Sequence, residues 1–155
     1  MKKSMVFFVL IWVLVAVTGV SAQGYYNPNI TLTQGNLDKC LNTLPGWVKV
    51  VKAAGMNSNP SAAGALYQHE KINAYLRSQG WGNPYDYYAV LAKISMAMAW
   101  VAIMANPQIP EEQRRQMEPQ MQGTVSQLSP AEKALIKKNA KRIFEAMKAA
   151  SGESE

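Results

Sequence analysis

The sequence predicts an all-α fold, a compact bundle of about five helices around a central apolar helix. Three observations predict it. No segment alternates apolar and polar residues with the period of two that a strand needs, and helix caps recur along the chain as Asn-Pro, Ser-Pro and Gly signals. The stretch Tyr85 to Ala105, YDYYAVLAKISMAMAWVAIMA, places apolar side chains on every face of a helix, with Lys93 and Ser95 nearly its only polar residues. A helix of that kind has to be surrounded.

The chain opens with an export signature over residues 1–22. Lys2 and Lys3 precede an unbroken apolar run from Met5 to Val17, and Val20-Ser21-Ala22 sets small residues before a cut at Gln23. The apolar run is shorter than the roughly 20 residues of a bilayer span. The predicted division is a signal peptide over 1–22, a flexible turn-rich leader over 23–32, a helical domain over 33–150 and a frayed tail over 151–155.

Helix one starts near Thr33, with Leu37, Cys40, Leu41 and Leu44 on one stripe. Pro45-Gly46 is expected to kink or break it, because proline removes a helical hydrogen bond. A second helix is expected from Ser61 to Gln79, capped by Asn59-Pro60 and ended by Gly80. Asn83-Pro84, with Asp86 in the first turn, starts the central helix, and Asn106-Pro107 stops it. A polar helix follows from Glu111 over EEQRRQMEPQMQGTVSQ, weakened by Pro119 and Gly123. Ser129-Pro130-Ala131-Glu132 is a capping box with proline at the first helical position. The helix it opens buries Leu135, Ile136, Ala140, Ile143, Phe144 and Met147, and turns lysines to water.

Lys2 and Lys3 account for two of the 16 basic residues, and the remainder still outnumber the 10 acids. So mild an excess favours weak attraction to anionic surfaces and does not call for nucleic acid. A single cysteine, Cys40, gives no disulfide framework of the kind small secreted eukaryotic domains carry. With the short lysine-led signal, this points to a bacterial envelope protein in the periplasm of a Gram-negative cell. The sequon Asn29-Ile30-Thr31 is discounted for the same reason. Lys93 divides Tyr85 to Ala105 and leaves the remainder too short for a membrane span, so no transmembrane anchor is expected after cleavage.

The groups able to carry chemistry are few. His69-Glu70 begins like the H-E-x-x-H zinc motif, but position 73 is Asn and the chain has no second histidine. Cys40 would need a base to become a nucleophile, and His69 is the one histidine available. Met117 and Met121 stand one helical turn apart, a spacing thioethers could offer to Cu(I), but methionine is more often a core filler. These readings give no catalytic residue, metal or cofactor.

Two surfaces can bind. Trp81, Tyr85 and Tyr88 cluster with Tyr87 at the mouth of the central helix, where aromatics beside a Gly-rich turn line a ligand groove or else fix the chain's entry, with Trp81 on Tyr87. Lys133, Lys137 and Lys141 repeat every four residues with Lys138 and Arg142 beside them, forming a face for an anionic partner or membrane surface, or a solvated face.

The ordered segments LDKCLNTLPGWVKVVKAAG, INAYLRSQGWGNPYDYYAVLAKISMAMAW and LSPAEKALIKKNAKRIFEAM resemble those of a broad group of small, exported, all-helical bacterial proteins of unknown function. The resemblance covers most of the chain after the signal. It implies fold and compartment, and carries no catalytic residues. Leu32-Thr33-Gln34 and Leu128-Ser129-Pro130 also echo the LTxxQ motif of periplasmic helical chaperones, but lack its final glutamine. The expected function is a non-enzymatic binding or structural role with a protein or other envelope component. The alternatives are a chaperone-like binder of unfolded clients, and a small enzyme with its site near His69 or Cys40.

Overall fold

A computed structural model describes residues 29–56, 63–121, 123 and 125–150. The segments predicted as signal peptide and tail, and most of the one predicted as leader, therefore lie outside the described residues. Within them the chain is helical and contains no strand. The helices are α1 (Gln34–Ala53), α2 (Ala63–Gln68), α3 (Glu70–Ser78), α4 (Pro84–Met96), α5 (Met98–Ala105), α6 (Glu111–Met121) and α7 (Pro130–Ala150). Among the described residues seven helices stand where about five were expected, because two of the expected ones divide.

The cap chemistry sets most of the boundaries. Thr33 and Asn36 form a reciprocal box at the start of α1, each side chain accepting from the other's backbone N–H. The Asn83 side chain accepts from Tyr85 N at the start of α4, with Pro84 at its first position. Gly80 follows α3 at φ +82, a backbone region that favours glycine.

Of the kink or break expected at Pro45, the break does not occur: α1 runs on from Gln34 to Ala53. Pro45 is exposed on α1, while Leu41, Leu44, Trp47 and Val51 on either side of it are buried in one core. That burial holds the helix continuous across the hydrogen bond proline cannot make. Gly46 has a different task. The Tyr75 hydroxyl lies 2.0 Å from where a Cβ on Gly46 would stand, so only glycine lets α3 come this close to α1. From there Tyr75 donates to the Thr43 carbonyl at 3.2 Å.

The expected helix over Ser61 to Gln79 divides at His69, whose ψ of 110 is extended. The bend turns Leu66 and Tyr67 into the core, and the Asn73 amide donates to the Tyr67 carbonyl that the bend exposes. The expected central helix divides at Ala97, a buried turn. Every residue from Tyr87 to Ser95 is buried, which makes α4 the enclosed rod. In α5, Trp100 and Val101 are buried while Ala102 and Ile103 are half-buried. The polar helix α6 ends at Met121, soon after Pro119, and Val125 and Leu128 return the chain to the core.

α7 packs along α5 and α1, α1 also packs on α3 and α4, and α6 leans on α5. One apolar core joins α1, α2, α3, α4, α5 and α7.

That core contains a charge pair. Lys93 Nζ of α4 donates to Glu132 Oε1 of α7 at 2.6 Å, both side chains being shielded from water. The same oxygen accepts from Leu32 N, and Oε2 accepts from Ser129 N, each at 2.8 Å. Burial alone would raise the pKa of this carboxyl. The three donors outweigh that and hold it down at about 2. Replacing Lys93 by Met leaves a buried carboxylate without its countercharge, and urea unfolding of Lys93→Met should show a loss of about 3–5 kcal/mol. The double variant Lys93→Met/Glu132→Gln should recover part of it. Because the folded carboxyl titrates below its unfolded value, its contribution is complete above that value. Acid unfolding should therefore draw on this group as pH falls from about 4.5 to about 2, and Glu132→Gln should flatten stability over that window.

Candidate functional site

The aromatic residues at the mouth of α4 form a nest of stacked and edge-on rings. Trp81 lies edge-on to Tyr87 at 5.4 Å, Tyr87 meets Tyr88 at 5.6 Å and Trp47 at 5.7 Å, and Tyr88 meets Tyr67 at 4.4 Å. Tyr67 stacks on Tyr85 at 6.4 Å. Such offset and edge-on pairs are the favoured ones for aromatic quadrupoles. Trp81 and Tyr88 are 4% and 2% exposed, so two of the three residues read as a ligand groove are core residues. Tyr85 is half-buried and closes the nest at the surface. The contact of Trp81 with Tyr87 fixes how the chain enters α4, the packing role that the sequence also allowed.

Polar tips inside the nest are tied to side-chain and backbone oxygens where they can be. The Trp81 indole donates to Thr43 Oγ1 at 3.1 Å, and the Thr43 hydroxyl donates in turn to the Lys39 carbonyl. The Lys39 ammonium sits 4.7 Å over the Trp81 ring and donates to Gly80 O at 2.6 Å. The Tyr87 hydroxyl is buried with no hydrogen-bond partner among the described residues. Burial, then the neighbouring Cys40, Tyr88 and Tyr75, push its pKa well up. Burial likewise raises Tyr88, which the Trp47 indole opposes, and lifts Tyr67 to about 12.

Cys40 is fully buried on α1, and burial raises its thiol far above the ordinary range. His69 is the half-buried N-cap residue of α3 and makes no side-chain cap; its Nδ1 is buried without a partner among the described residues. No hydrogen bond joins Cys40 to His69 among the described residues. Among the described residues no three His, Cys, Asp or Glu side chains gather as metal ligands. Of the methionine pair, Met117 is half-buried on α6, and the side chain of Met121 lies outside the described residues.

The basic face of α7 is partly engaged. Arg142 is paired with Asp38 of α1, and that bond, helped by Gln34, lowers the Asp38 pKa. Lys141 stands 4.0 Å from Glu145. Lys137 and Lys138 are exposed and Lys133 half-buried. Lys137 faces a cleft of about 350 Å³ whose other wall is Glu111, Arg114, Arg115 and Glu118 of α6. Those four recur at i, i+3, i+4 and i+7, one face of the helix. Arg115 pairs with Glu111 at 3.0 Å, while Arg114 Nη2 donates to the Asn106 carbonyl at 2.7 Å. Sequence reading passed over this wall, although the charge spacing in EEQRRQME is its signal.

No described helix is long and apolar enough to cross a membrane. Comparison with known protein families, curated proteins and solved structures found no match to this chain.

The thiol supplies a direct test of these positions. Cys40 should not react with Ellman's reagent in the folded protein and should react fully in denaturant. Rapid native labelling would place it at the surface instead.

Proposed function

We propose that this protein is exported, that its signal is removed before Gln23, and that the mature helical bundle binds an anionic envelope component without catalysis. The basic face of α7, with the cleft it shares with α6, is the binding surface. The observation that carries this reading is the cleft itself. Arg114 and Arg115 face Lys137 across a concave polar space, beside exposed Lys138. Elsewhere, the residues with the most chemistry are taken up by folding: the buried aromatics hold one another, and Cys40 is enclosed.

Glu111 and Glu118 temper the charge of the cleft, which suits attraction to a surface rich in negative charge more than capture of a single small ion. The order of sequence features, like that of small exported helical bacterial proteins, agrees with an envelope location. The surface of an anionic leaflet is the simplest partner of this chemistry.

Cosedimentation of the mature chain with phosphatidylglycerol vesicles tests the reading. Binding should appear at low salt, fade as salt screens the charges, and be absent with phosphatidylcholine vesicles. Each lysine near an anionic surface is worth about 1 kcal/mol, so Lys137→Ala/Lys138→Ala should weaken binding roughly thirtyfold. A wild-type protein that stays in solution at low salt rules the proposal out.

A further inference from the structure

The six rings of the aromatic nest form a continuous path. From Trp47 it passes to Tyr87 or directly to Tyr88 at 6.3 Å, then to Tyr67 and out to Tyr85. No step exceeds 6.4 Å between centroids, and Tyr85 alone of the six is not fully buried. Tyrosine and tryptophan are the side chains a one-electron oxidant most readily ionises at the ring, and rings this close exchange electrons readily. We propose that Tyr85 is the outlet of a tyrosine–tryptophan ladder that carries an oxidising hole from the core to the surface, and is thus this protein's site of oxidative tyrosine coupling.

Two features direct the hole to Tyr85. At the other end of the path the Lys39 ammonium stands over Trp81, and a second positive charge on that ring is disfavoured. Inside the nest a tyrosine radical needs somewhere to send its phenolic proton. Tyr87 has no hydrogen-bond acceptor among the described residues, and Tyr88 has only the Leu66 carbonyl at 3.4 Å, which is no base. An oxidised ring that keeps its proton is a charge in an apolar site, and that is costly. Tyr85 is reached by water, which can take the proton.

The chemistry balances with an external one-electron oxidant, such as the azide radical. The oxidant takes one electron from Trp47 and becomes its anion. An electron from Tyr85 refills Trp47 through Tyr67 and Tyr88, and the Tyr85 phenol releases its proton to water. Two Tyr85 phenoxyl radicals on separate molecules then join through ring carbons ortho to oxygen, and the displaced ring hydrogens return to the oxygens. Per dityrosine formed, two electrons go to the oxidant and two protons to water. In an oxidising compartment such a path would spare the core around Cys40.

Pulse radiolysis of the mature chain in azide tests this, since azide radical attacks tryptophan in preference to tyrosine at neutral pH. Tryptophanyl absorption should give way to tyrosyl absorption at a rate independent of protein concentration, and peptide mapping should place the dityrosine at Tyr85. Tyr67→Phe keeps a ring in the stack but is far harder to oxidise. It should lose the coupling at Tyr85 while its circular dichroism stays that of wild type. Tyr75, also half-buried and near Tyr87 but in no ring contact with the ladder, is the competing outlet. The proposal is overturned if tryptophanyl radicals decay without tyrosyl growth, or if coupling maps to Tyr25, Tyr26 or Tyr75. It is equally overturned if Tyr67→Phe still couples through Tyr85 at the wild-type level, which would make Tyr85 a surface tyrosine and nothing more.

Discussion

Glu132 binds three parts of the chain that are far apart in sequence. Its carboxylate takes the Lys93 ammonium from the middle of α4, the Leu32 amide from the segment ahead of α1, and the Ser129 amide at the start of α7. Removing two charges from water is expensive, and attraction in the interior compensates only where geometry and hydrogen bonding are complete. Here the carboxylate has donors on both oxygens. The pair ties the start of α7 to the middle of α4 at one point, and a shift of either helix would strand a buried charge. The chain entering α1 is fixed by the same atom. The carboxylate also lies in the first turn of α7, where the helix dipole favours it.

Around that point, close approach governs the packing. Gly46 admits the Tyr75 ring against α1, and Thr43 nearby accepts from both Tyr75 and Trp81 through two different oxygens. The aromatic nest therefore has polar anchors on its α1 side, and Trp81 cannot swing outward without losing its partner. Density of this kind leaves little room for a ligand among the rings. It brings them near enough to act as one electronic path, and leaves Tyr85 at the edge.

The surface obeys a different constraint. The helix α6 has a polar, charged face and leans on α5, and a cleft lies between that face and Lys137 of α7. Arg142 is engaged with Asp38 across to α1, so the basic face of α7 is divided: one end holds the fold, and Lys137 and Lys138 remain in solvent.

The sequence alone determined the fold class and most helix ends, because caps are local: Thr33, Asn83 with Pro84, Gly80, and Ser129 with Glu132 each lie within a few residues of the groups they satisfy. It also gave Tyr85 to Ala105 as a surrounded helix, of which α4 is the enclosed part, since apolar residues on every face admit few other outcomes. It put Cys40 in the core on the stripe it shares with Leu37, Leu41 and Leu44. Tertiary structure decided the rest. Whether Pro45 breaks α1 depended on burial on both sides of it, and the bends at His69 and Ala97 serve contacts with distant residues. Glu132 looked complete as a capping residue, which concealed its second role, and Lys93 was legible only as a charge dividing an apolar stretch. The aromatic residues could be read as groove or as packing until neighbours from α1 and α2, remote in the chain, closed over them. Local hydrogen bonding is written in adjacent residues, whereas burial is a property of what arrives from elsewhere.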